Sequence, residues 1–362
     1  MIRCSNCGQG YPESGIAYRC SKCKGIFDIT ELPLYDPMKV DPGSPGIWKY
    51  RHTFSIIENE PDVSLGEGNT PLIWGDAYEQ EVAFKCEYQN PTGSFKDRGS
   101  SVLASVLHSR GIKEAIEDSS GNAGASFAAY GTRAGIAVKI YIPDSASGPK
   151  QKQIEAYGAE VVRIPGSRSK VSEAIQREAD RGTPYASHAY LPFNLPGYAT
   201  LSYELVEQLG DMPGTVVLPV GQGGLFLGLA LGFKNLLKSG VSKRLPKLIG
   251  VQALSCAPLW TLFAYGGIGH SLAGEVDTVA EGIKVRYPIR GDAVIRTCTE
   301  LDAQLLAVDE VDILPGRDEL ARRGFYVEPT SAVVWNALKL GITQWEKPIV
   351  VILTGSGLKS TF

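Results

Sequence analysis

A lysine does covalent chemistry only when its amine is aimed and is unprotonated part of the time. Lys96 lies in NPTGSFKDRG, residues 90–99, between a turn of Asn, Pro, Thr and Gly and a helix-like run, DRGSSVLASVLHSR. The turn fixes the direction of the side chain. The positive end of the following helix makes the protonated amine modestly less favourable. Read alone, Lys96 is equally a solvated lysine beside Asp97. Read as an aimed amine, it is a candidate for Schiff-base chemistry with a carbonyl compound.

Two further loops join strand-like to helix-like runs. DSSGNAGAS, residues 118–126, follows a short strand-like segment and opens an Ala-rich helix. Ser119, Ser120 and the free N–H groups of a helix start suit a carboxylate, and the Asn122 amide suits a phenolic or carbonyl oxygen. A plain helix cap of Ser and Asn shows the same pattern. In PVGQGGLFLG, residues 219–228, an apolar strand runs through Gly221, Gln222, Gly223 and Gly224 into an apolar helix at Leu225. Glycines there let successive N–H groups turn toward one anion. The dinucleotide fingerprint G-x-G-x-x-G fails because position 226 is Phe, and no G-x4-G-K-[ST] loop occurs. The cradle therefore suits a smaller phosphate. An aimed lysine, a carboxylate loop and a compact phosphate cradle converge on pyridoxal phosphate, which needs an amine for its aldehyde and a nest for its phosphate.

Four of the seven cysteines form a separate pattern, Cys4, Cys7, Cys20 and Cys23, spaced C-x2-C-x12-C-x2-C. Two such knuckles can place four thiolates around one Zn²⁺, and four cysteines leave no open position, so the ion would be structural. Paired disulfides or idle thiols share the spacing, although a cytoplasmic setting disfavours disulfides. No apolar run reaches the ~18 residues of a membrane span. The N-terminus carries no secretory signal, and a cytoplasmic location is expected. The formal net charge of -3 gives no support to a nucleic-acid partner.

These loops must be held by elements that alternate. Strand-like runs at 82–88, 138–143, 160–165, 215–220, 247–252 and 349–355 interleave with helical runs at 97–109, 123–134, 149–157, 170–180, 198–209, 225–237 and 330–340. That order predicts an α/β fold with parallel-rich sheets and ligands at the carboxyl ends of strands. Residues 31–60 are Pro-rich and read as an arm after the ribbon.

NPTGSFKDRG, SSGNAGAS, the GQGG loop, EPTSA (328–332), TGSGLK (354–359) and GEGNTPL (66–72), in their places along the chain, resemble the threonine synthase branch of the fold type II pyridoxal-phosphate enzymes. Some members of that branch carry a cysteine ribbon as well. The resemblance implies the tryptophan synthase β-like architecture of two open parallel-rich sheet subdomains, with a zinc-ribbon-like module at 1–30 and a linker arm at 31–60. A large subdomain would comprise 61–95 and 201–362, and a small mobile one 96–200. It implies a homodimer and an amino-acid substrate. Lys96 would carry the cofactor and act as general base. Asn122 would hydrogen-bond the cofactor's 3′-oxygen, and Gly221, Gln222, Gly223, Gly224 and Leu225 would hold its phosphate. Ser356 would face the pyridine nitrogen, while Ser119 and Ser120 would hold the substrate carboxylate.

A neutral hydroxyl at Ser356 disfavours a long-lived carbanion and suits loss of a β- or γ-substituent. The branch commonly has a hydroxyl residue where this chain has Ala123, and an arginine where LPFNLPGYAT (191–200) places Asn194. Asparagine lacks the charged fork that holds a phosphate. Lys150, Lys152, Arg163, Arg168, Lys284, Arg286 or Arg290 would then have to replace it. AEGIKV (280–285) also resembles a stretch of serine and threonine dehydratases. The expected reaction is that of threonine synthase, O-phosphohomoserine and water giving threonine and phosphate. The alternative is a related β-eliminating or β-replacing enzyme, dehydratase-like or cysteine/cysteate synthase-like, on a non-phosphorylated substrate.

Overall fold

The computed structural model describes residues 1–54, 62–268 and 277–360. The last residues of the expected arm, 55–60, and parts of the expected large subdomain, 61, 269–276 and 361–362, lie outside the described residues.

The strands are β1 (Ile2–Cys4), β2 (Phe27–Ile29), β3 (Leu72–Ala77), β4 (Gln80–Lys85), β5 (Glu114–Glu117), β6 (Ala137–Pro143), β7 (Glu160–Ile164), β8 (Thr215–Pro219), β9 (Lys247–Ala253), β10 (Gln304–Val308) and β11 (Ile349–Ile352). The longer helices are α1 (Lys96–Ser109), α2 (Asn122–Arg133), α3 (Pro149–Ala156), α4 (Arg168–Asp180), α5 (Asn194–Leu209), α6 (Gly224–Lys238), α7 (Pro258–Tyr265), α8 (Gly291–Leu301), α9 (Glu310–Arg322) and α10 (Pro329–Gly341). The chain forms two compact units, one of residues 1–68 with 90–198 and one of residues 69–89 with 199–360.

In the first unit β1 and β2 pair antiparallel, while β5, β6 and β7 form a parallel sheet in that order. Alternate residues of β6 are buried, as one packed face of a strand requires. Its core joins the inner faces of α1 and α2 to Ile47, Trp48 and Phe54. The 46–54 part of the Pro-rich segment is packed: the Trp48 indole donates to Glu67 and Ser101, both at 3.0 Å.

In the second unit the sheet order is β10-β9-β8-β11-β4-β3, parallel throughout except for the edge strand β3. β8 and β11 are buried along their whole length, which explains their continuous apolar runs. The expected strands and helices all form, with ends shifted by up to four residues. The sequence reading lacked β3, β10, α7, α8 and α9. Pro315 lies inside α9 and interrupts the pattern by which that helix would be recognised.

Candidate active site

Lys96 is the first residue of α1, and its Nζ lies 4.7 Å from the Phe95 ring centroid. The turn before it is closed by the Gly93 N–H, which donates to the Asn90 carbonyl at 2.7 Å with Gly93 at φ +85°. The buried Asp97 carboxylate then locks turn to helix. It accepts from the Thr92 N–H, the Thr92 hydroxyl and the Ser126 hydroxyl of α2, each at 2.6 Å. On the far side of α1, a Cβ at Gly99 would stand 2.6 Å from the Tyr198 ring, and one at Gly197 would stand 2.0 Å from the Arg98 carbonyl oxygen. With helix and turn held on both sides, the lysine backbone has little freedom to shift.

The carboxylate loop runs from the carboxyl end of β5 into α2, as the sequence suggested. A Cβ at Gly124 would lie 1.8 Å from the Ser119 carbonyl oxygen, so only glycine lets the loop fold back this tightly. The Gly121 N–H donates to the Ser119 hydroxyl at 3.2 Å. No side chain caps α2, which leaves its first N–H groups to an anion. From α3, the Gln151 amide donates to the Ser120 carbonyl at 2.6 Å and the Gln153 amide to the Thr92 carbonyl at 3.0 Å. One helix thereby ties the carboxylate loop to the lysine turn.

Two buried carboxyls at the end of β5, Glu117 and Asp118, and the half-buried His188 beside them escaped the sequence reading. Glu117 Oε1 lies 2.5 Å from His188 Nδ1. Asp118 accepts from the Tyr185 hydroxyl at 2.7 Å and from Arg168 at 2.9 Å. Burial pushes the Glu117 carboxyl up to about 8. Burial, aided by the charge of Lys96, pulls the His188 imidazole down to about 3. Burial also raises Asp118. At neutral pH the Glu117–His188 pair is thus uncharged and holds a proton on the carboxyl.

Relative to ordinary values of 4.5 and 6.5, the native pair binds one proton more than the unfolded chain from pH 6.5 to about 8, and one fewer from about 3 to 4.5. Stability falls with rising pH in the first window and with falling pH in the second. Glu117→Gln is expected to flatten the alkaline fall, as read from denaturant midpoints at several pH values. An equally steep fall in the variant would remove Glu117 as its cause.

Asn194 begins α5, is buried, and donates through its amide to the His188 carbonyl at 3.4 Å. It is an uncharged wall where the resemblance places an arginine. Arg163 is committed to the carbonyls of Asp144 and Ala146. Arg168 stands half exposed on Asp118, directly before Ser119.

In the second unit the phosphate cradle lies beyond the carboxyl end of β8, and Ser356 beyond that of its parallel neighbour β11. Gly223 is left-handed at φ +89°, and its Cβ would meet Val294 at 2.4 Å. A Cβ at Gly221 would sit 3.2 Å from Ile283 Cα, so AEGIKV lies against the cradle backbone. Gln222 accepts from the Ile289 N–H at 2.9 Å, which pins the loop. No side chain caps α6, so its opening N–H groups suit an anion. The Ser356 hydroxyl accepts from the Leu358 N–H at 3.3 Å, which keeps its own hydrogen available to donate. Lys85, at the end of β4, is buried against Glu204 at 2.5 Å and Gln208 at 2.8 Å, and is not available for chemistry.

The four ribbon cysteines converge. Cys4 and Cys23 sulfurs are 3.4 Å apart, Cys7 and Cys20 are 3.7 Å apart, and all four lie within 4.8 Å of one another. A tetrahedral Zn–S length near 2.3 Å requires edges of about 3.8 Å, so the set can hold one ion.

Residues 63–355 match the family described as pyridoxal-phosphate dependent enzyme. The chain belongs to this family. Among its relatives, a threonine synthase of Methanosarcina acetivorans is 30% identical over 99% of this chain and 92% of its own length. That of Methanocaldococcus jannaschii is 31% identical over 99% and 93%. Solved structures share the fold: a maize serine racemase at 22% identity (TM-score 0.68, 80% of this chain and 88% of that one) and an O-ureido-L-serine synthase at 21% (TM-score 0.68, 84% and 95%). The protein is a pyridoxal-phosphate-dependent lyase of fold type II, as the resemblance implied. Its residues fit the cofactor's demands: an aimed lysine, two helix starts without side-chain caps, and a glycine cradle that an added Cβ would fill. Among the described residues no helix is long and apolar enough to cross a membrane.

Proposed function

We propose that this lyase is a threonine synthase, converting O-phosphohomoserine and water to threonine and phosphate. The observation that carries the reading is likeness to threonine synthases along 99% of the chain. Pyridoxal phosphate supplies an electron sink for charge on the substrate α-carbon. Lys96 carries the cofactor, then takes and returns the proton at that carbon. Ser119, Ser120 and the α2 N-terminus hold the substrate carboxylate, and Asn122 donates to the cofactor's 3′-oxygen. The N–H groups of Gly221, Gln222, Gly223, Gly224 and Leu225 hold the phosphate of the cofactor. Ser356 would offer the cofactor's ring a neutral hydroxyl rather than a charged partner. Arg168 supplies the cation that Asn194 does not. The ribbon cysteines would hold a structural Zn²⁺ in the cytoplasmic enzyme.

A specific observation favours a second reading. Asn194 and the uncharged Glu117–His188 pair make a polar wall with no charged member of its own, which suits a hydroxyl or acyl-oxygen leaving group on a smaller amino acid. The cofactor-loaded enzyme, incubated with O-phosphohomoserine and assayed for phosphate and threonine together, separates the two. Equal amounts of both are expected. Neither product, with ammonia released from serine or threonine instead, would establish the second reading.

A further inference from the structure

The cysteine ribbon grips the segment that carries His188 and Asn194. The Tyr11 ring meets Phe193 edge-on with centroids 5.1 Å apart, and the guanidinium of Arg110, which follows the last residue of α1, lies over both rings, at 5.1 and 5.6 Å. Arg110 also donates to the carbonyls of Pro12 and Gly15, at 3.1 and 2.8 Å. The Tyr18 ring packs on Tyr185 and Tyr190 at 5.4 and 5.5 Å, and its hydroxyl donates to Asp180 at 2.8 Å. Arg19 donates to the Tyr190 hydroxyl at 2.8 Å and stacks over that ring at 5.0 Å.

The gripped residues, Tyr185, Tyr190 and Phe193, bracket His188 and adjoin Asn194. The gripping residues, Tyr11, Tyr18 and Arg19, all lie between Cys7 and Cys20. Each knuckle is a tight turn: the Gly8 N–H donates to the Cys4 carbonyl at 3.0 Å, and the Lys24 N–H to the Cys20 carbonyl at 2.9 Å. The sheet beneath them is only β1 against β2, three residues each. So short a ribbon has little core of its own, and an ion shared by four thiolates would fix both ends of the gripping loop at once.

We propose that the ribbon is a positioning device for the substrate wall. An ion at Cys4, Cys7, Cys20 and Cys23 fixes the loop between the knuckles, and Tyr11, Tyr18 and Arg19 hold residues 185–194 in place against Glu117 and the Lys96 frame. The inference rests on the reading that His188 and Asn194 face the substrate, and it holds for either leaving group.

The test uses the zinc-replete, cofactor-loaded enzyme and L-threonine, read by the shift of the cofactor's absorbance. Stripping zinc with phenanthroline is expected to raise hydrogen exchange across 185–194 while the far-ultraviolet spectrum is kept. Arg19→Ala, which leaves the cysteines intact, should weaken amino-acid binding about tenfold with the cofactor spectrum and zinc content unchanged. Unchanged exchange after zinc removal would overturn the proposal, and so would faster exchange with unaltered amino-acid affinity. Failure of O-phosphohomoserine as substrate would overturn only the threonine synthase reading, because the binding readout does not depend on it.

Discussion

Lys96→Ala is expected to lower turnover by at least about four orders of magnitude, with little change in stability. The turn, the Asp97 lock and the packing of α1 on Tyr198 remain when the side chain is cut back to Cβ. What disappears is the aimed amine, and Lys85 cannot stand in for it because its own amine is buried against Glu204. The same amine is needed to carry the cofactor and to move the α-proton, so its two losses fall on one residue. Steady-state rates with the substrate in excess, beside a denaturation curve of each protein, check the expectation. Turnover within tenfold of the parent would move the chemistry to another residue.

Asp97→Ala should show the second-largest effect, and on both quantities. Its carboxylate takes three donors at 2.6 Å with no water access. Removing it takes the shared charged acceptor from a buried N–H and two hydroxyls, at a cost of about 3–5 kcal/mol. It also frees the lysine turn from α1 and α2, and misplacement of a reactive group by about 1 Å costs about a hundredfold in rate. Denaturant unfolding and turnover on the same preparation measure both. A variant that is as stable as the parent would show that the turn is held without this carboxylate.

Much of this was legible because glycine and proline punctuate the chain where backbone must turn. Asn90 to Gly93, Gly121 to Gly124 and Gly221 to Gly224 each lie between a strand-like and a helix-like run, and the structure places the last two at carboxyl strand ends. Family membership bears out the fold and the cofactor read from them. The Glu117–His188 pair was invisible because its members are 71 residues apart and each reads alone as an ordinary surface residue. Trp48 was hidden differently. Its Pro-rich surroundings suggested an arm, yet burial of its ring against Phe54 decided the outcome. Helix α9 was masked by Pro315, which tertiary packing against α10 tolerates. In each case packing outside the local pattern overrode the local signal.

The most direct measurement is to reduce the cofactor-loaded protein with borohydride, which fixes the cofactor to the amine that carries it, and to map the labelled peptide. The label is expected on Lys96 alone. A label on Lys85 or Lys359, or a protein that takes no label, would contradict the assignment of Lys96 as the residue that carries the cofactor.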